Sequence, residues 1–276
     1  MPKIRRIPFS AMQNLSPTGV FIKRFSRHGR VVMRSEAHRD DYYLIAFITD
    51  GNVAVDIDFE KKSLSTGHLL IVSPWQVHNQ PSGETWMADG WVVAFSQDLL
   101  TEAEARTIEE YSISPEPINP GKAIAYDINT LCSMMMRNQG NHAVSVALAC
   151  AIKSIAISVL SSTDSEISGR YKSITLRLRK LLDVHLAEEK RPSAYASLLN
   201  ISEIYLNEAV KGATGLSAGT YIRTRAMIQA RRQLAYTNLS TKEIAYSLGY
   251  DDYAYFSKLF KKIVGMSPSE FRKNLK

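Results

Sequence analysis

The C-terminal half of the chain repeats itself, and that repeat restricts the fold more than any other feature. Lys211-Gly212-Ala213-Thr214-Gly215-Leu216-Ser217 stands 50 residues before Lys261-Lys262-Ile263-Val264-Gly265-Met266-Ser267, and Tyr221 and Arg223 fall over Phe271 and Lys273. Upstream, Ala196-Ser197-Leu198-Leu199-Asn200 parallels Ala245-Tyr246-Ser247-Leu248-Gly249 at an offset of 49, so the second copy gains one residue after its turn. Each copy reads as a helix, a tight turn at Asn200 or Gly249, and a second helix. Asn and Gly best tolerate the left-handed backbone such a turn needs. Ser240-Thr241-Lys242-Glu243 and Ser267-Pro268-Ser269-Glu270 have the form of capping boxes, the second with Pro at the first helical position. From Tyr171 onward the pattern is helical. One such pair could be a hairpin packed for stability; two match the helix-turn-helix arrangement.

Charge follows the same division. The 276 residues carry 34 Lys+Arg against 27 Asp+Glu, a net of +7. Residues 171–276 hold 18 basic and 9 acidic residues, a net of +9, so residues 1–170 are at −2. A basic helical repeat joined to a near-neutral remainder points to double-stranded DNA as the partner of the repeat. Cys132 and Cys150 are too few for a disulfide framework, which favours a reducing cytoplasm. The N-terminal residues lack the apolar core of a signal peptide. Ala143 to Leu160 is the longest apolar stretch, but Lys153 sits at its middle, so no membrane span is expected.

The first hundred residues read as strands. Val53 to Glu60 alternates apolar and polar, and Tyr42 to Ile48, Leu69 to Val72 and Trp86 to Phe95 are apolar and β-prone. Turn signals separate them at Asp50-Gly51-Asn52, Thr66-Gly67, Ser73-Pro74 and Ser82-Gly83. Short strands at this spacing favour an antiparallel barrel or jelly roll. Helices follow: one opened by the capping box Thr101-Glu102-Ala103-Glu104, then about 122–138 and 142–160, broken at Gly140-Asn141. Leu148, Ile152, Ile155 and Val159 form one stripe, which lies against the barrel or makes a homodimer. Met134-Met135-Met136 reads as core. The polar run Ser161 to Ser165 is the expected boundary between a domain of residues 1–165 and one of residues 171–276.

The stretch from Arg231-Arg232-Gln233-Leu234 through Glu243-Ile244-Ala245, Leu248-Gly249-Tyr250, Tyr255-Phe256-Ser257 and Gly265-Met266-Ser267-Pro268 to Phe271-Arg272 resembles the C-terminal signature of the AraC/XylS family of bacterial transcription regulators. His38 to Tyr43, Gly67-His68 to Pro74, Val77-His78 and Gly90-Trp91 to Phe95 are similar, more loosely, to the cupin-like sensor barrel of many members. The resemblance implies an α+β chain: an N-terminal cupin-like antiparallel β-barrel with trailing helices, then an all-α domain whose two helix-turn-helix units are joined by a long helix at about Ala218 to Ala235. It further implies promoter binding, commonly activation through RNA polymerase, and a small-molecule effector for the barrel.

Helical period places Leu206, Ala209, Val210 and Ala213 inward in the first copy, and Phe256, Leu259, Phe260 and Ile263 inward in the second. By resemblance the base-contact positions fall on Ile204, Asn207, Glu208, Tyr253, Ala254 and Lys258, and Ser257 shares their outward face. Asn207 suits adenine, Glu208 cytosine and Lys258 guanine. Lys211, Lys261 and Lys262 lie further along their helices and are expected at phosphates. Many members carry Arg or Lys where this chain has Glu208.

In the N-terminal half, Tyr43, Ile45, Phe47, Trp75 and Trp91 either enclose a small ligand or fill the interior. His38, Asp40 and His78 are the one plausible metal-ligand set. The Glu usual in metal cupins is missing, with Leu44 and Ile45 in those places, so polar groups at a barrel rim are expected and no metal, cofactor or catalytic residue. The alternative is a metal-dependent cupin-type enzyme with a DNA-binding appendage.

Overall fold

The structure is a computed structural model that describes residues 6–7, 19–27, 38–58, 60–74, 76–79, 87–162 and 166–274. It divides into two compact units, one within residues 5–164 and one within residues 165–276.

The first unit contains strands β1 (Arg6–Ile7), β2 (Val20–Phe25), β3 (Arg39–Asp40), β4 (Tyr43–Ile57), β5 (Glu60–Ser65), β6 (Leu69–Val72), β7 (His78–Asn79) and β8 (Met87–Phe95). β1 and β3 form a short parallel pair. The other six make an antiparallel sheet with β4 as its spine. β6 and β5 pair along one edge of β4, through Leu44–Phe47 and Asn52–Ile57. β8 and β7 pair along the other, and β2 lies outside β8.

The turn expected at Asp50-Gly51-Asn52 is absent, because β4 runs straight through it. Ile48 pairs with Gly90 and Asp50 with Asp89, leaving Thr49 as the extra residue of a bulge. Gly51 carries the strand past it at φ +85°, where a Cβ would lie 2.0 Å from the Met87 carbonyl oxygen. An Asp-Gly pair serves a bulge as well as a hairpin, since both need positive φ.

Helices α1 (Glu102–Tyr111), α2 (Lys122–Arg137) and α3 (His142–Ser162) cover one face of the sheet. Ile108, Ile128, Cys132, Met135, Ile152 and Ala156 pack there against Tyr43, Ile45, Phe47, Trp91 and Val93. Met134 of the methionine run is instead exposed. α3 is long and apolar enough to cross a membrane, yet Ile152 of its stripe belongs to this core, Leu148 and Ile155 pack against it, and Val159 is buried. Lys153 is accommodated there because its Nζ donates to the Leu99 carbonyl and to Glu104 Oε2, both at 2.8 Å. Glu104 also closes the capping box with Thr101. Burial pushes its pKa upward, but the hydrogen bonds from Lys153 and the Thr101 backbone prevail and hold it below the ordinary value.

The second unit is helical: α4 (Glu166–His185), α5 (Pro192–Leu198), α6 (Glu203–Thr214), α7 (Ala218–Tyr236), α8 (Thr241–Ser247), α9 (Tyr253–Val264) and α10 (Pro268–Asn274). α7 touches α5, α6, α8, α9 and α10. Its buried Ile222, Ala226, Met227, Ala230 and Leu234 supply the shared core.

Candidate nucleic-acid interface

The two copies close their turns with the same bonds. Asn200 at φ +55° and Gly249 at φ +72° reverse the chain after α5 and α8. The Ile201 N–H then donates to the Ala196 carbonyl and the Tyr250 N–H to the Ala245 carbonyl, each at 3.0 Å. Ser202 caps α6 and Asp252 caps α9 through their side chains. Both second helices end on a left-handed glycine, Gly215 and Gly265. Ser240–Glu243 and Ser267–Glu270 form the expected capping boxes in full. These bonds hold Glu243 and Glu270 below the usual carboxylate range, the Ser240 side chain and the Ser267 backbone N–H being the leading causes.

The inward faces are as the period indicates: Leu206, Ala209, Val210, Phe256 and Phe260 are buried, and Ala213, Leu259 and Ile263 are partly so. Among the candidate readers, Ile204 is 75 % exposed at the start of α6. Glu208, Ala254 and Lys258 are exposed, as are Lys211, Lys261 and Lys262. Tyr253 is half-buried, and its hydroxyl accepts from Thr241 Oγ1 at 3.2 Å. Ser257 is half-buried.

Asn207 has a partner within the unit. It is half-buried, and its Oδ1 accepts from the Ala218 N–H at 3.0 Å, the first amide of α7. A bidentate pair with adenine would use the second lone pair of that oxygen together with Nδ2, so the same side chain serves both partners only where the two geometries agree. In the second copy Ser257 stands at the equivalent place and Pro268 replaces Ala218. Proline has no N–H to satisfy. One copy caps the amide; the other deletes it.

Two exposed aromatics escape a reading by inward and outward faces alone: Tyr246 on α8 and Tyr255 on α9, the latter 54 % exposed. Lys242 lies over the Tyr246 ring at 5.7 Å. Large exposed aromatics beside a capped helix start were visible in the sequence as positions outside both apolar stripes.

Lys190 ties the entry of the first copy to the turn of the second. Its Nζ donates to the Gly249 carbonyl at 2.9 Å and sits 4.7 Å from the centre of the Tyr250 ring. Burial lowers its pKa, against the attraction of Asp251 and Glu189.

In the first unit, Tyr43, Ile45, Phe47 and Trp91 point into the packed layer between sheet and helices, where Tyr43 stacks on Phe95 and Trp91 Nε1 donates to Asn129 Oδ1. Filling the interior, the second of the two readings, is where the structure places them. Trp75 lies outside the described residues. Phe25, Ile48, Val53, Leu70 and Val72 form the core on the opposite side. His38, Asp40 and His78 are brought together: Asp40 is 2 % exposed and His78 7 %, and His38 is half-buried.

Comparison with known proteins agrees with this geometry. A family model described as "Helix-turn-helix domain" matches residues 195–274. The Msm operon regulatory protein of Streptococcus mutans is 32 % identical over 128 residues, 46 % of this chain and 45 % of that protein. The HTH-type transcriptional activator RhaS of Enterobacter sp. is 34 % identical over 96 residues, 35 % of this chain and 34 % of that protein. The chain spans less than half the length of these relatives. Among solved structures, ToxT from Vibrio cholerae O395 aligns with 93 % of this chain and 97 % of its own at 13 % identity and a TM-score of 0.47. The C-terminal unit is a tandem helix-turn-helix domain. Its similarity is to the AraC/XylS regulators, as its motif implies.

Proposed function

We propose that the chain is a sequence-specific DNA-binding transcription regulator whose helical unit lays α6 and α9 in successive major grooves. The observation that carries this is the pair of matched turns, each with one left-handed residue, Asn200 or Gly249, and the same 3.0 Å bond, inside a segment of net charge +9. In this reading Ile204, Glu208, Tyr253, Ala254, Ser257 and Lys258 face bases, while Lys211, Lys261 and Lys262 meet phosphates. Asn207 belongs with the base-facing residues in this reading and also ties α6 to α7 through the Ala218 amide. The sheet unit, a separate fold with its own core, is assigned a sensing and non-catalytic role. Activation is suggested by similarity to relatives such as RhaS, described as a transcriptional activator; promoter contact alongside RNA polymerase and cytoplasmic action belong to the same proposal. Homodimerisation belongs to the same reading, the partly buried Leu148 and Ile155 of the α3 stripe being the surface it would use.

The test is titration of the full chain against a duplex of about 20 base pairs, two turns of DNA, selected from a random pool. Lys261→Ala should weaken all duplexes alike and reduce the salt slope by about one. Lys258→Ala should cost about 1–3 kcal/mol on the selected site and relax one base position. Absence of DNA affinity at low salt would sink this reading.

A further inference from the structure

Among the described residues, His38, Asp40 and His78 place one ligand atom each within 4.8 Å of one another. The backbone builds this cluster. The His38 N–H donates to the His78 carbonyl at 3.1 Å and the His78 N–H to the His38 carbonyl at 2.9 Å, so the two residues face each other across a bridge. Their ring centres are 4.3 Å apart. Asp40, two residues along, returns to the same side.

The hydrogen-bond accounting leaves a gap that a cation fills. Asp40 is almost wholly buried, and neither of its carboxylate oxygens accepts a hydrogen bond among the described residues. A buried carboxylate without hydrogen bonds is strongly unfavourable unless a cation compensates it. His78 Nε2 lies 3.3 Å from Asp40 Oδ2. On the other side of the ring, Nδ1 is 3.2 Å from the Gln76 carbonyl oxygen, which can only accept, so Nδ1 carries the proton. In the neutral imidazole Nε2 is then a lone pair aimed at a carboxylate. Gln76 is itself fixed, its Oε1 accepting from the Ser73 N–H at 2.8 Å. A histidine oriented through its far nitrogen by a backbone carbonyl is the arrangement that metal-ligating histidines adopt.

We propose that His38, Asp40 and His78 bind a divalent first-row transition ion such as zinc or ferrous iron. Two imidazoles and one carboxylate suit these ions, whereas magnesium and calcium favour all-oxygen shells. Ligands about 2.1 Å from one ion lie roughly 3–3.5 Å apart, so the His78–Asp40 pair already has the spacing, and the remaining atom closes by no more than about 1.5 Å. Three protein ligands leave a coordination position for water or for a donor atom of a small molecule. This reverses the expectation of no metal. The missing carboxylate at Leu44 or Ile45 does not matter to a three-ligand site. The site stands independently of the DNA reading.

The experiment uses the untagged full chain, stripped with chelator and titrated with cobalt(II) as a coloured probe, then zinc. One equivalent of cobalt should bind with visible d–d absorption and be displaced by zinc, and magnesium at the same concentration should not compete. Asp40→Asn and His78→Gln should each weaken zinc at least about a hundredfold, with cooperative melting retained, and His68→Ala outside the cluster should leave it unchanged. If Asp40→Asn fails to fold, His38→Gln and the stoichiometry of the unaltered chain decide. Binding of far less than one equivalent, equal affinity in the variants, or nitrogen NMR showing both His78 ring nitrogens protonated at neutral pH after zinc addition would overturn the proposal. The last result would mean that a proton fills the gap.

Discussion

The two helix-turn-helix copies have the same backbone plan and different surroundings, and the surroundings explain where their residues part. At the turn, Asn200 is exposed, whereas a Cβ on Gly249 would lie 1.7 Å from the Ala187 carbonyl oxygen. On the second helix, Gly212 lies beneath Tyr171 of α4, with room for no side chain: its Cβ would meet the ring at 2.4 Å. The equivalent residue in the other copy is Lys262, exposed to solvent. The first copy gives two outer positions, Asn207 and Gly212, to contacts within the unit, while Ile204, Glu208 and Lys211 stay exposed. The second has Lys258, Lys261 and Lys262 where the first has Glu208, Lys211 and Gly212. An internal repeat conserves the turn geometry, while each neighbour that leans on a copy selects the side chain there.

Exchanging residues between copies tests this, beginning with the turn. Gly249→Ala combines a left-handed alanine, about 1–2 kcal/mol, with a backbone collision that no rotamer relieves, and should cost at least about 3 kcal/mol in denaturant unfolding. Asn200→Ala has only the first of these and should cost about 1 kcal/mol. Equal costs would show that Ala187 does not lean on the second turn. Next in size, Gly212→Ala should lose about 1–3 kcal/mol by displacing Tyr171. The reverse exchange, Lys262→Gly, should lose only the helix propensity, about 1 kcal/mol.

A subtler exchange concerns the amide that opens the following helix. Asn207→Ala leaves the Ala218 N–H without its acceptor and should cost about 1 kcal/mol, within the range for lost caps. Ala218→Pro removes the donor itself, as Pro268 does. In the Asn207→Ala background it should therefore recover most of the loss, and Ser257→Ala should be nearly silent in the same thermal melts. A double variant no better than the single one would assign Asn207 to some other task.

Much of this was legible beforehand, for a physical reason. Turns and caps are local: Asn200, Gly249, Ser240 and Glu243 specify their own geometry within a few residues, so their positions in the sequence sufficed. What escaped depends on partners far along the chain. Gly51 looks like a hairpin glycine until β8 is seen passing it. Helical period says which way Asn207 leaves its helix, not that Ala218 waits eleven positions on with an amide. Tyr43, Ile45 and Phe47 alternate correctly, but alternation assigns residues to two faces without saying which face the helices cover. His38 and His78 meet only through a bridge between distant segments.

Acid should separate the copies by the smallest margin. Both complete capping boxes of the helical unit, Ser240–Glu243 and Ser267–Glu270, flank the second copy. In the first, Arg191 precedes α5 without a side-chain cap, and Thr220 stands where Glu270 does. Glu243 and Glu270 titrate below their ordinary range when folded, so their contribution is present above the unfolded pKa and is lost as pH falls through the folded one. Near the first copy, Glu189 is held at about 2, chiefly by its hydrogen bond from the Arg191 side chain, so that contribution persists further into acid. Both sets are solvent-exposed and individually weak. As pH falls below the range where ordinary carboxylates protonate, amide exchange should therefore rise first at the starts of α8 and α10 and later at the start of α5. Glu243→Gln should abolish the difference at α8. Exchange that rises together at all three helix starts would mean that the copies are equally capped, and that the carboxylates of the second add nothing of their own.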